Sequence, residues 1–222
     1  MLQRKPPMLT RRTFVKEASF AAGLAAISGA AGCFDDKNHK EPTMDMKFSE
    51  LIEARRSVRK YAKAEISKDE MTKIVEEALN APSWKNTETT RYYAAIGDDA
   101  KAKIWNGALP GFNTASSANA AALVAVTFVP GESGYMGDTP ADEHGEMWGA
   151  YDCGLASSYF ILAAKNHGWD TLIMGIRDTA KVKAILGIPK KEVLMSVIAV
   201  GKSAQPYFKN PRKPVADVLK MM

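Results

Sequence analysis

Four cations fall within the eight residues Ala54 to Tyr61, ARRSVRKY, where an amphipathic helix reaches its end. Arg55, Arg56, Ser57 and Arg59 combine planar guanidinium donors, a hydroxyl and backbone N–H groups, a donor set suited to a phosphate. A solvated basic helix end accounts for the same residues, so the string decides nothing alone. Other residues able to do chemistry form weaker patterns. His39, His144 and His167 lack metal-ligand spacing, and the acids around His144 read as a solvated loop. Ser116-Ser117 and Ser157-Ser158 lack the strand-turn-helix setting of a nucleophile elbow. GWDTLIMGIRD is not a G-x-G-x-x-G fingerprint, which argues against a dinucleotide in a Rossmann unit.

The basic charge of the chain is local. Of its 30 Lys and Arg, Arg4, Lys5, Arg11, Arg12 and Lys16 lie in the first 33 residues against one acid, Glu17. Downstream stand 25 cations and 24 acids, so the sequence pI of 9.1 belongs largely to the leader. A nucleic-acid role loses its main support.

Residues 1–33 read as a twin-arginine export signal: Arg11-Arg12 precede Thr13, Phe14, Val15 and Lys16, then a weakly apolar Ala/Gly stretch. That stretch is shorter than the ~20 residues of a spanning helix. The expected location is periplasmic or on the outer face of the cell membrane. Cys33 follows small residues as in a lipoprotein box, which would make this a lipid-anchored lipoprotein; cleavage after Ala30 is the alternative. Residues 34–47, polar with one Pro, read as a flexible tether. With Cys153 the only other cysteine, the count argues against a disulfide framework, and its apolar surroundings make it a small buried hydrophobe.

Residues 48–222 form one domain in which the periods alternate. FSELIEARRS places Phe48, Leu51 and Ile52 on one helical face with Ser49 as candidate N-cap. SKDEMTKIVEEALNAP opens on a capping box, Ser67 to Glu70, and stops at Pro82. RYYAAIG and AALVAVTFV read as strands, the second apolar throughout and so buried on both faces. EMWGAYDCGLASSYFILAAKNHG is a long helix, apolar all round, which favours burial against a partner subunit. A strand TLIMGI, a helix from Asp178 to Leu186 and a strand VLMSVIAVG complete an α+β arrangement.

In this order the segments RRSVRKY, APSWKNTETTRYY, HGWDTLIMGI and NPRKP resemble the nitroreductase family of FMN enzymes over nearly all of residues 48 to 214. The resemblance implies a nitroreductase-like fold: a central mixed β-sheet flanked by helices, in a homodimer with a long buried central helix. It implies that Arg55 and Ser57 hold the FMN phosphate and ribityl end with help from Arg56, and that Arg212 closes on the phosphate. Arg59 would reach the pyrimidine edge, where a fixed cation stabilises the charge that two-electron reduction adds. Ser83 and Asn86 match a loop that touches FMN from the other subunit, and Asn113 a position that hydrogen-bonds the ring. The backbone of Ile173, Met174 and Gly175 would pass the N5 edge. Trp84, in the same loop as Ser83, is the one tryptophan that could stack; the other three read as packing residues.

Departures accompany the resemblance. Glu88-Thr89-Thr90 stand where the family commonly has Gln-Pro-Trp, Met174 where many members carry Glu, and Ser116 where some have a second cation. The implied activity is electron transfer from a reduced donor, NAD(P)H or an extracytoplasmic carrier, through FMN to an electron-poor acceptor such as a nitroaromatic or quinone. An exported protein has no free NAD(P)H at hand, so a non-catalytic flavoprotein that binds a ligand or relays electrons stands as the alternative.

Overall fold

The computed structural model describes residues 46–206 and 208–222. The leader, Cys33 and most of the tether lie outside the described residues.

Helix α1 (Phe48–Ala54) starts two residues earlier than a Ser49 cap would allow: Lys47 is the N-cap, and its amide donates to Glu50 Oε2 at 3.3 Å. Strand β1 (Tyr61–Ala62) is short, and α2 (Lys68–Ala78) carries the expected capping box. There the Glu70 amide donates to Ser67 Oγ at 3.1 Å, and the Ser67 amide donates back to Glu70 Oε2 at 2.8 Å. A 3₁₀ turn at Trp84–Asn86 leads into β2 (Thr90–Ile96), then α3 (Asp98–Gly107), α4 (Gly111–Ser117) and β3 (Ala122–Phe128). A small hairpin, β4 (Tyr135–Met136) with β5 (Thr139–Pro140), precedes α5 (Met147–Asn166). The chain ends with β6 (Asp170–Met174), α6 (Thr179–Leu186), β7 (Val193–Ser203) and α7 (Val215–Val218).

Strand β7 is the hub of a five-stranded sheet, pairing with β1, β3 and β6, while β2 pairs with the far edge of β3. Every ladder is antiparallel. The expected mixed sheet is thus corrected to an antiparallel one, with parallel pairing among the described residues confined to a bridge between Ser57 and Thr171. Each residue of β3 is buried, because helices cover both faces. One core layer, with Ile74, Val124, Phe160 and Ile198, lies under α2 and α5; the other, with Ile104, Leu123, Val182 and Val197, lies under α3 and α6.

Helix α5 fills one core layer with Cys153 and Phe160 but leaves Tyr151 and Tyr159 exposed. Phe48 and Ile52 of α1 are exposed as well, at 70% and 49%. The chain alone therefore does not bury the apolar helix all round. No helix among the described residues is long and apolar enough to cross a membrane.

Candidate functional site

The segment leaving α1 runs beside the start of β6. The Val58 amide donates to the Thr171 carbonyl at 3.0 Å while Ser57 bridges Thr171. Over this segment comes the chain that follows β7, tied to α1 by Lys209 Nζ donating to Glu53 Oε1 at 2.9 Å. Between them opens a cavity of about 260 Å³ whose walls include Arg55, Arg56, Ser57, Arg59, Lys60 and Arg212. Among the described residues no carboxylate lines it. Arg56 spends one N–H on the Arg55 carbonyl at 2.6 Å, and Arg59 spends one on the Ser57 carbonyl at 3.3 Å. Burial and the neighbouring guanidiniums of Arg56 and Arg212 lower the pKa of Arg55. Glu53 feels the Arg56 charge but is bound by Lys209, so the crowded cations keep an excess of positive charge that an entering anion would relieve, and the donor set fits a phosphate. Five residues expected from the sequence, Arg55, Arg56, Ser57, Arg59 and Arg212, thus converge across the length of the domain.

Strand β6 carries the next group. Ile173 is exposed, whereas Met174 is buried at 2% among the core side chains. Met174 can therefore offer only backbone to a site, which makes its exchange for Glu a loss of side-chain chemistry rather than of shape. Around Gly175 an added Cβ would meet nothing within 4 Å, leaving open space beside the backbone. Asn113 is buried, and its Nδ2 donates to the Ile176 carbonyl at 2.7 Å. Its amide donor braces the turn after β6 instead of facing a cavity.

Ser83 and Asn86 lie elsewhere. Ser83 lines a separate small cavity with Glu88, Asp152 and Ala156. Its Oγ accepts the Glu88 amide at 3.0 Å, and Asn86 Nδ2 donates to Glu88 Oε1 at 2.7 Å. Lys85, Asn86 and Glu88 all adopt positive φ, 46°, 57° and 51°. Such backbone persists in residues other than Gly only where neighbours hold it. The holding group is Asp152, 3% exposed, whose Oδ2 accepts the Trp84 amide at 2.9 Å and the Ser133 hydroxyl at 2.7 Å. Within one chain this loop and the cationic cavity are not brought together.

The Trp84 ring packs against Trp148 with centroids 4.8 Å apart, and Trp169 and Trp105 are likewise engaged by Lys202 and Ser117. The acids near His144 form an exposed group, and Asp142 is committed to the Trp148 Nε1–H at 2.9 Å. Cys153 is buried, and burial pushes its thiol up to about 11. Sequence reasoning missed Asp152 and Arg177. A lone acid in an apolar helix was the available signal for Asp152.

The nitroreductase family model matches residues 52–202, so the chain belongs to the nitroreductase family. Every candidate site residue except Arg212 falls inside that match. The Bacillus subtilis protein named "Putative NAD(P)H nitroreductase YdgI" is 30% identical over 201 residues, spanning 77% of this chain and 95% of its own. The CLA biosynthesis enone reductase of Lactiplantibacillus plantarum is 27% identical over 191 residues, spanning 71% of this chain and 86% of its own. A "putative nitroreductase in complex with FMN" from Exiguobacterium sibiricum shares the fold, with a TM-score of 0.70 at 24% identity, covering 80% of this chain and 98% of that one.

Proposed function

We propose that this chain is an FMN-dependent oxidoreductase that carries electrons from a reduced donor, NAD(P)H or an extracytoplasmic carrier, to an electron-poor acceptor such as a nitroaromatic or quinone. The observation that carries this reading is the acid-free cavity of Arg55, Arg56, Ser57, Arg59 and Arg212 beside β6. Bound FMN would supply two-electron chemistry, taking a hydride from the donor at N5 and passing two electrons on, with protons from solvent completing reduction of the acceptor. The protein's own part is positional. Arg55, Arg56, Ser57 and Arg212 hold the phosphate and ribityl end, Arg59 places a cation near the ring, and the backbone of Ile173 to Gly175 offers polar groups at its edge.

A homodimer would unite the two groups of site residues that lie apart within one chain. The exposed Phe48, Ile52 and Tyr159 supply an apolar face for such a partner. We also infer export by the twin-arginine route from residues 1–33, with Cys33 as the candidate lipid anchor.

The test is an absorbance spectrum of the leaderless protein, followed by anaerobic addition of NADH or NADPH. Flavin bands that bleach within one turnover time support the enzyme. Bands that persist favour the second reading, a flavoprotein that binds a ligand or relays electrons, for which the charged Glu88 and the inward Met174 argue. Absence of bands after FMN is added overturns both.

A further inference from the structure

The turn that leaves β6, Gly175 to Asp178, is held from three directions. The Arg177 guanidinium donates through Nη1 to the Gly175 carbonyl and through Nη2 to the Leu194 carbonyl of β7. Asn113 of α4 donates to the Ile176 carbonyl at 2.7 Å. The Asp178 amide donates to the Ala108 carbonyl at 2.7 Å, fastening the turn to the end of α3.

These ties fix more than the carbonyls. Because a trans peptide is planar, a carbonyl tied one way sends the N–H of the next residue the opposite way. Tying the Gly175 and Ile176 oxygens to the protein therefore turns the Ile176 and Arg177 amides away from it. Neither amide has a backbone acceptor among the described residues. Their surroundings are open: Ile173 and Ile176 are 46% and 65% exposed, and the space beside Gly175 is empty of protein atoms.

Arg177 brings charge as well as geometry. Among the described residues no carboxylate stands within ion-pair distance of it, and its Nε is buried without a partner. Backbone carbonyls satisfy a guanidinium's hydrogen bonds but cancel none of its charge. Burial lowers its pKa, with no charged neighbour contributing.

We propose that Arg177 is a positioning residue for the flavin: it aims the Ile176 and Arg177 amides outward from the turn and keeps an uncompensated positive charge behind it, favouring the reduced state of the cofactor. The proposal rests on the FMN reading above, which places the ring beside this turn. Arg177 itself touches backbone rather than cofactor, and it acts through the turn it ties.

Two substitutions separate clamp from charge. Arg177→Lys keeps the charge but lacks the planar fork that spans two carbonyls, and Arg177→Gln removes the charge. The holoprotein is equilibrated against a redox dye of known potential, and hydrogen exchange at the Asp178 amide is followed in the flavin-free chain. The Gln variant is expected to move the dye equilibrium about tenfold toward oxidised flavin, and the Lys variant less than about threefold. Asp178 exchange should quicken at least about tenfold in both, since the bond to Ala108 depends on the tied turn. A Gln variant with the wild-type equilibrium overturns the charge role, and unchanged Asp178 exchange overturns the clamp. Wild-type chain that takes up no FMN overturns the FMN reading and the redox role with it, while Asp178 exchange still decides whether Arg177 ties the turn.

Discussion

The cationic cavity and the loop from Ser83 to Glu88 solve opposite problems. In the cavity, Arg55, Arg59 and Arg212 have full charges and no carboxylate partner among the described residues, on backbone that is otherwise ordinary. In the loop the polar groups, the Trp84 indole N–H excepted, are paired and the backbone is not ordinary: three positive φ values are held by Ser83, Asn86 and Asp152. Unpaired charge asks for a ligand, whereas paired strain fixes a shape. On the proposed reading the first region is the binding half of a site and the second a preformed wall, and changes to each should fail differently.

The largest effect is expected from Arg55→Ala combined with Arg212→Ala. Each guanidinium removed from a phosphate loses about 1.5–3 kcal/mol of charge-assisted hydrogen bonding. The pair should weaken FMN binding on the order of 10³-fold, read by flavin fluorescence titration, and steepen neither thermal unfolding nor aggregation. A drop below about tenfold would break the comparison, because the cavity would then not be where the phosphate binds.

Asp152→Ala attacks the wall instead. It strips the acceptor from the Trp84 amide and from Ser133, which is 1% exposed. The Trp84 amide is left without a partner, while the Ser133 hydroxyl can turn to Thr87 Oγ1 at 2.8 Å, so the cost is about 2 kcal/mol, a fall in Tm of roughly 6 °C for a domain of this size. If the loop completes the site of a second subunit, gel filtration should show dimer and FMN lost together.

Next to Asp152 on α5, Cys153 faces the core and serves as the contrast. Burial raises its pKa from 9.0 to about 11, so the folded chain favours the protonated thiol. Its contribution is complete below pH 9 and is lost as pH rises through 11, amounting to about 2–3 kcal/mol. Thermal melts of wild type should therefore fall more steeply between those values than melts of Cys153→Ala, with FMN affinity at neutral pH the same in both.

How far these regions could be read from sequence follows from the same contrast. Clustered charge survives as letters: ARRSVRKY stands out in a domain that is otherwise nearly neutral, and the fold brings Arg212 to it as the resemblance implied. Strong local patterns also survive, as in the Ser67–Glu70 box, the continuous apolar run of β3 and the helix that ends at Leu186. Positive φ at Lys85, Asn86 and Glu88 leaves no such mark, since it is held in part by Asp152, which lies far along the chain. Helices α3 and α4 escaped for a related reason: few large apolar residues mark their buried faces, which rest on Ile104, Lys101, Asn113 and Ser117. Asn113 was legible as a polar residue of interest, but its partner, the Ile176 carbonyl, is a backbone group that no side-chain pattern announces.

The finest probe of the comparison is Glu88→Gln. The carboxylate oxygen that accepts from Asn86 has a counterpart in the amide oxygen of Gln, and the bonds from the Glu88 amide to Ser83 and from Arg91 to the Glu88 carbonyl are backbone. The substitution therefore keeps the wall's shape, and stability should stay within about 0.5 kcal/mol. It removes one negative charge from an exposed position. Should the wall face the cofactor of a partner subunit, that loss would ease reduction, moving a dye equilibrium about two- to threefold toward reduced flavin. Arg59→Gln, on the opposite side of the comparison, should move the same equilibrium the other way and further, because it removes the cation proposed to stand near the ring. Opposite signs from the two variants would place both regions around one cofactor. An unmoved equilibrium for Glu88→Gln beside a moved one for Arg59→Gln would mean that the cationic cavity works without the loop.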